Sequence, residues 1–210
     1  MDKDYWENYY IKHGLDPTIK QPSSFAIFVQ ERYLKNDQKN ILEIGSGNGR
    51  DAIFFAEHKH NIVAVDQSHS AISIAKKIKY NSKIKFLEDD FVKMNYEKFQ
   101  NIDAVYSRFT LHAIKQKECE IVLTKAYNIL KNNGLFMIEA RSTKDPLCGV
   151  GKKVGKYEYI TTHYRRFIDS NQFVKKLLNL GFKLCFFTEE NNLSIVRKDN
   201  PYLIRVILQK

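Results

Sequence analysis

Three glycines at alternate positions, Gly45, Gly47 and Gly49, follow the apolar run Ile41-Leu42-Glu43-Ile44 and precede the apolar stretch Ala52 to Ala56. Strand, tight turn and helix in that order make a ligand cradle. Glycines permit positive φ and let a ligand reach the backbone, and the helix start offers free N–H groups. The spacing is G-x-G-x-G, and Arg50 holds the place where a dinucleotide fingerprint wants its third glycine. Glu43 stands two places before the first glycine. Asp66 closes a second apolar run, Ile62-Val63-Ala64-Val65. It lies about twenty residues past the turn, where a carboxylate can accept hydrogen bonds from two ribose hydroxyls. With no phosphate to cradle and carboxylates nearby, the loop suits a nucleoside carrying a cationic amine.

A second set of residues is cationic. Arg108 follows the run Ile102 to Tyr106, Arg141 follows Leu135 to Ala140, and Arg165-Arg166 precede a late helix. A guanidinium fork matches phosphate or carboxylate, so three arginine segments at one sheet edge point to an anionic ligand. The competing reading is structural pairing with Glu139, Asp145 or Asp169. His112 is expected one helical turn beyond Arg108 on the same face, either in the site or packed as an ordinary helix histidine. The chain holds no H-E-x-x-H, no C-x-x-C and no G-x-S-x-G, so neither a metal nor a nucleophilic side chain is expected.

The elements that position these residues alternate strand and helix, which implies an α/β fold. Strands are expected at about 40–45, 61–66, 84–87, 102–106, 135–140, 182–187 and 202–208. A helix follows the glycines to about His58, and another, capped by Ser68, carries Ile72, Ala75 and Ile78 on one face. A third runs from about Gln116 and closes at Asn133-Gly134. Residues 143–156 read as a loop and 157–160 as a short strand. Ser170 caps a last helix that Gly181 ends. Near the start, Ser23 or Ser24 caps a helix, and Trp6 and Tyr10 share a face of an earlier one. That first helix is either docked on the core or a lid over the ligand.

Glu43-x-Gly45-x-Gly47-x-Gly49 followed by Val65-Asp66 resembles the cofactor site of class I S-adenosylmethionine-dependent methyltransferases. The resemblance implies a Rossmann-like fold: a seven-stranded, mostly parallel sheet with a C-terminal antiparallel hairpin and helices on both faces. It implies S-adenosyl-L-methionine as cofactor and S-adenosyl-L-homocysteine as product. By position, Asp90, with Asp89 as backup, takes the adenine amine, and the N–H of Phe91 meets a ring nitrogen. Ser107, at the carboxyl end of a strand, faces the methyl donor or the acceptor and is counted with the cofactor set. Trp6, Tyr10, Ser46, Asp51 and Gln67 complete the cofactor set. Residues 1–210 form one methyltransferase domain, with 1–38 as a helical cap and 141–168 as a substrate-covering insertion. The competing reading of the loop is a Rossmann-like domain for another nucleotide.

Tyr106-Ser107-Arg108-Phe109-x-Leu111-His112, Ile138-Glu139-Ala140-Arg141-Ser142 and His163-Tyr164-Arg165-Arg166-Phe167 extend the resemblance to a subgroup of small bacterial methyltransferases. These occur in clusters for surface polysaccharides, including those that methylate the phosphoramidate of capsules. The implied reaction is O-methylation of a small phosphate- or carboxylate-bearing acceptor at Arg108, His112, Arg141, His163, Arg165 and Arg166. The N-P-P-Y type motif of base-amine methyltransferases is absent. A sugar hydroxyl or a thiol-like acceptor is the alternative, and a hydroxyl would need His112 or His163 as base.

The totals set the remaining bounds. A chain of 210 residues suits one domain with a sizeable core. No apolar run is long enough to span a membrane, the start does not resemble a signal peptide, and three scattered cysteines suit a reducing cytosol. The expected location is cytoplasmic. The net charge of +10 is compatible with an RNA-modifying or RNA-binding protein. A composition rich in lysine throughout, with no Lys/Arg block before the 141–166 region, is the preferred explanation, so nucleic acid is not the expected partner.

Overall fold

The computed structural model describes residues 2–16, 21–78, 82–195 and 199–210. Residues 17–20 of the expected N-terminal cap therefore lie outside the described residues. In chain order the elements are α1 (Lys3–His13), α2 (Ser24–Val29) with a π-helical turn Gln30–Leu34, β1 (Asn40–Ile44), α3 (Arg50–Glu57), β2 (Asn61–Asp66), α4 (His69–Ile78), β3 (Ile84–Glu88), β4 (Ile102–Arg108), α5 (Gln116–Ile129), β5 (Leu130–Arg141), β6 (Lys152–Gly155), β7 (Glu158–Ile160), β8 (Tyr164–Arg166), α6 (Ser170–Asn179), β9 (Lys183–Glu190) and β10 (Leu203–Gln209).

Seven strands form one sheet in the order β3-β2-β1-β4-β5-β10-β9. The first five are parallel, and β10 runs antiparallel to both β5 and β9. The expected architecture is the observed one. Central strands are apolar on both faces because helices cover both. Successive residues feed opposite layers. Leu42, Val105, Phe136 and Val206 enter one core cluster, while Ile41, Ala104, Met137 and Ile207 enter the other with Phe25, Val29 and Phe55 from α2 and α3.

The strand order reverses between β1 and β4, the place where α/β sheets open a crevice for ligands. Ile44 pairs with Val65 on one side and Ser107 on the other. Gly45, Asp66 and Arg108 therefore leave the sheet side by side. Arg108 lies opposite Glu139 of β5.

Three local expectations are corrected. The helix after Gln116 ends at Ile129, not at Asn133-Gly134. Buried Leu130 already pairs with Ile102. Asn133 takes the left-handed conformation (φ 65) inside β5, and its N–H donates to the carbonyl of Lys210 at 2.9 Å. Asn-Gly here serves an irregularity in the sheet, because tertiary pairing with the C-terminal residue outcompetes a helix cap. The last helix is capped by Asp169, whose carboxylate accepts from Gln172 N; the Ser170 hydroxyl donates instead to Glu189 at 3.1 Å. Residues 143–156 are not all loop: β6 pairs with β7, and β7 with β8, in a separate three-stranded antiparallel sheet.

Candidate cofactor and acceptor site

The carboxyl ends of β1, β2, β4 and β5 surround a cavity of about 290 Å³. The glycine loop forms its floor. Gly45 and Ser46 both donate their N–H to the carbonyl of Val65, at 2.8 and 3.0 Å, which folds the chain back tightly. Gly45 (φ 71) and Gly47 (φ 56) are left-handed, and a Cβ on them would collide with Thr110 and with the Tyr10 hydroxyl. Only glycine fits both.

Asp66 fastens this loop. Its Oδ2 accepts from Gly47 N and its Oδ1 from Ser68 N, each at 2.9 Å. Burial pushes the Asp66 carboxyl up, and the backbone donors pull it back. Asp51 is saturated: it accepts from Ser23 N at 2.7 Å, Ser23 Oγ at 2.8 Å and the Tyr106 hydroxyl at 2.9 Å. Glu43 differs. Its Oε2 is buried with no hydrogen-bond partner, and burial, with Asp51 nearby, pushes the carboxyl well above its ordinary range.

Unpartnered buried atoms gather at this place. Glu43 Oε2, Ser46 Oγ, Gln67 Nε2 and Ser107 Oγ account for four of the seven such side-chain atoms among the described residues. Buried polar groups normally find partners. Their concentration around a glycine cradle fits a polar ligand with both donors and acceptors, as an aminoacyl nucleoside has.

The cavity's far wall is α1. Tyr5, Trp6, Tyr9 and Tyr10 line it, yet no residue of α1 is fully buried. Polar staples hold the helix instead. Glu7 accepts from Ser68 Oγ at 2.7 Å and from Ser70 N at 3.1 Å, capping the start of α4. Asn48 Nδ2 donates to the carbonyl of Gly14 at 3.2 Å. At the other side the Tyr5 ring stacks on His163 with centroids 4.0 Å apart, and Trp6 meets the same imidazole edge-on at 5.4 Å.

The arginines separate into two kinds. Arg108 Nε stands 2.9 Å from Glu139 Oε1, its Nη2 donates to Ser194 Oγ at 2.7 Å, and Arg205 Nε donates to the other Glu139 oxygen at 2.7 Å. Arg141 Nη1 donates to Asp145 at 2.8 Å, and Nη2 pairs with Asp199. Glu139 and Asp145 are thus the structural partners that the sequence offered; Asp169 is not one of them, because it caps α6. Arg165 and Arg166 are neighbours on β8, so their side chains leave on opposite faces. Arg165 reaches the cavity. Arg166 is buried away from it, donating to the carbonyls of Ile114 and Leu111 at 3.2 and 2.8 Å and to Gln116 at 2.7 Å.

His112 lines the cavity, although not one helical turn after Arg108. Phe109 (φ 57) breaks the chain into a turn, closed by Ala113 N donating to the Thr110 carbonyl. His112 Nδ1 accepts from Arg141 N at 3.2 Å. Burial, with Arg141, Arg165 and Arg166 nearby, holds its pKa well below the usual range. Burial and Arg165 push His163 down to about 4.

Other expected cofactor residues do not reach this wall. Asp89 accepts from Asp90 N at 2.8 Å and from Lys98 at 3.1 Å, while Asp90 accepts from Val92 N at 2.9 Å. One oxygen of each carboxylate serves the turn's own backbone. Phe91, Ser107 and Gln67 are buried and do not line the cavity, Gly47 is covered by Tyr10, and Gly49 opens α3. Sequence reasoning missed Tyr5, Tyr9, Asn48, Arg50, Phe109, Thr110, Ala113 and Asp199. Tyr5 and Tyr9 carried a signal, being four apart beside Trp6 and Tyr10. Asp199 carried none.

A doubly wound sheet with antiparallel β10, a G-x-G-x-G loop after β1 and an acid ending β2 defines a Rossmann-like methyltransferase. A family model described as a methyltransferase domain matches residues 35–180, and the chain belongs to that family. S-adenosylmethionine is the cofactor that goes with it. The carboxy-S-adenosyl-L-methionine synthase of Nautilia profundicola is 26% identical over 200 residues, 92% of this chain and 82% of that protein. A methyltransferase structure from Methanosarcina mazei superposes with a TM-score of 0.74 at 14% identity, covering 87% of this chain and 96% of its own. The 1,6-didemethyltoxoflavin-N1-methyltransferase of Burkholderia thailandensis, with 1,6-didemethyltoxoflavin and S-adenosylhomocysteine bound, gives 0.73 at 14%, covering 99% and 86%. At such identities the two structures share the fold. Among the described residues, no helix is long and apolar enough to cross a membrane.

Proposed function

We propose that this chain transfers a methyl group from S-adenosylmethionine to an oxygen of a small anionic acceptor, and that the phosphoramidate of a capsular polysaccharide precursor is one such acceptor. The observation that carries the reading is the guanidinium groups from three separate strands, Arg108, Arg141 and Arg165, on one small cavity beside the glycine loop. In this reading Asp66 accepts from the ribose hydroxyls, Glu43 and Ser107 face the amino-acid end of the donor, and α1 covers it. Residues 141–168 close the acceptor side.

When bound, the cofactor supplies an electrophilic methyl on a sulfonium. An anionic acceptor oxygen gives its own lone pair to that carbon as the sulfur–carbon bond breaks, so no proton must leave. The protein's part is to hold the two in line and keep water out, which supplies much of the rate. The aromatic wall of α1 and the arginine-bearing strand ends are built for that.

The test is to incubate the protein with methyl-labelled donor and a panel of phosphorylated, nucleotide-linked and carboxylated metabolites. Label transfer to an anionic acceptor is the expected result. Transfer to neutral hydroxyl acceptors alone would reject the anionic reading. The curated relative named as a carboxy-S-adenosyl-L-methionine synthase favours a second reading, because an arginine-lined cavity also suits a carboxyl group carried by the donor itself. Mass spectrometry of the donor after incubation separates the two.

A further inference from the structure

We propose that Arg165 and the Nε2–H of His112 form the recognition point for the acceptor's oxyanion, with His112 a hydrogen-bond donor and not a base. The proposal rests on the anionic-acceptor reading above and names the groups that read the anion.

Four arginines line the cavity, and three already have carboxylates. Arg50 Nε lies 4.0 Å from Asp51, Arg108 faces Glu139, and Arg141 faces Asp145 and Asp199. Arg165 makes no ion pair with a carboxylate among the described residues; its guanidinium's one hydrogen bond there is a long 3.4 Å contact to Thr161 Oγ1. A guanidinium at the cavity with no carboxylate in ion-pair contact is the group left over for a ligand anion.

His112 is placed by two backbone hydrogen bonds. Its carbonyl accepts from Arg166 N at 2.8 Å, which docks β8 against it and sets neighbouring Arg165 at the same cavity. Its Nδ1 accepts from Arg141 N at 3.2 Å. A backbone N–H can only donate, so Nδ1 must carry the lone pair. In a neutral imidazole the proton then sits on Nε2. The imidazole is neutral because burial and the surrounding arginines disfavour its cation. Its remaining polar atom is therefore a donor, and it makes no hydrogen bond among the described residues. Such a group cannot take a proton from a hydroxyl acceptor without losing the Arg141 contact or becoming a buried cation among arginines. It can donate to an oxygen that already carries charge. The pair together selects an acceptor with at least two anionic or carbonyl oxygens, a phosphoryl or carboxylate group.

The test titrates inorganic phosphate and, separately, acetate into the full chain saturated with S-adenosylhomocysteine, read by calorimetry. Wild type is expected to bind at least one of them, and the one it prefers identifies the anion class. Arg165→Gln should weaken that binding about tenfold or more, the effect of losing one charge-assisted hydrogen bond. His112→Phe should do likewise. His112→Gln places an amide N–H near the position of Nε2 but offers nothing to Arg141 N, so it should recover much of the binding. A merely structural histidine predicts equal losses in the Phe and Gln variants. That result, or anion binding unchanged in Arg165→Gln, overturns the proposal. So does a wild-type complex that binds neither anion. Failure to bind S-adenosylhomocysteine at all would instead overturn the methyltransferase reading, so the two failures are distinct.

Discussion

The backbone N–H of Gly47 donates to Oδ2 of Asp66 at 2.9 Å, tying the glycine loop after β1 to the end of β2. The carboxylate therefore has two tasks in the proposed site: it fixes the loop, and it faces the ribose. Replacing Asp66 by Ala should cost about 1.5–3 kcal/mol in S-adenosylhomocysteine binding, the range for hydrogen bonds to a charged group. It should also lower Tm, because Gly47 N loses its partner. Asp66→Asn keeps one carbonyl oxygen and should hold the loop better than it holds the ligand. Calorimetry and thermal melts on the same preparations check both effects.

The helix α1 gives a direct optical signal. Trp6 is the single tryptophan of the chain, and it packs against His163. Burial and the nearby Arg165 push His163 down to about 4, below the 6.5 of a free histidine. The unfolded or undocked form thus binds a proton first. The contribution of this packing is fully present above pH 6.5 and is lost as the pH falls toward 4. Trp6 emission should shift to the red across that window. In His163→Gln, which cannot charge, the shift should vanish; an unchanged profile would show that some other group drives it.

Glu7 holds the other end of α1. The Ser70 hydroxyl is the largest influence that lowers its carboxyl below the usual glutamate range. Its contribution is present above that range and disappears as the pH drops from the usual glutamate range through the depressed value. Glu7→Ala should release α1 at neutral pH. The expected readouts are faster amide exchange in residues 3–13 and weaker S-adenosylhomocysteine binding, with β1 to β5 as protected as before. Because no residue of α1 is fully buried, losing its staples should leave the sheet's stability almost intact.

The sheet and the cradle were legible from the chain alone because each rests on local patterning. Runs such as Ile41-Leu42 and Val105-Tyr106 feed two layers whatever their partners, and the glycines of the loop need only their own φ. The acceptor side was legible in composition but not in pairing. Arg108 and Arg141 were foreseen at the sheet edge; that Glu139 is shared with Arg205, and that Asp199 returns across the connection between β9 and β10, depends on contacts far apart in sequence. Arg165 and Arg166 read as one pair in the sequence, where nothing marks 164–166 as a strand, and only the period of a strand sends them apart. Asp89 and Asp90 are assigned by position alone; one oxygen of each accepts a turn N–H, from Asp90 and from Val92.

Arg165 and Arg166 give a contrast one residue apart. Arg166→Gln removes three donors from the buried carbonyls of Leu111 and Ile114 and from Gln116, and should cost about 2 kcal/mol or more in stability, since orphaned buried acceptors carry their full desolvation penalty. Arg165→Gln should leave Tm nearly unchanged and lower kcat/KM for the acceptor. Melts showing equal destabilisation in the two would remove the assigned difference.

Arg141 decides how much of the arginine wall is framework. Its guanidinium spans Asp145, whose side chain is fully buried, and the half-exposed Asp199. Breaking a buried pair by removing one partner typically costs about 3–5 kcal/mol, because the remaining charge is left without compensation. Arg141→Ala should therefore destabilise the fold strongly, and Asp145→Asn should do so nearly as much. Arg141→Lys keeps the charge but cannot reach both carboxylates with one fork, so it should recover part of the loss. If Arg141 is framework, turnover per folded molecule in Arg141→Lys stays near wild type while Tm falls. If Arg141 instead exchanges Asp199 for the acceptor's anion, Asp199→Asn should tighten acceptor binding, since the ligand no longer competes with an internal carboxylate. Acceptor kinetics on Asp199→Asn, beside melts of the Lys variant, separate a strut from a binding group.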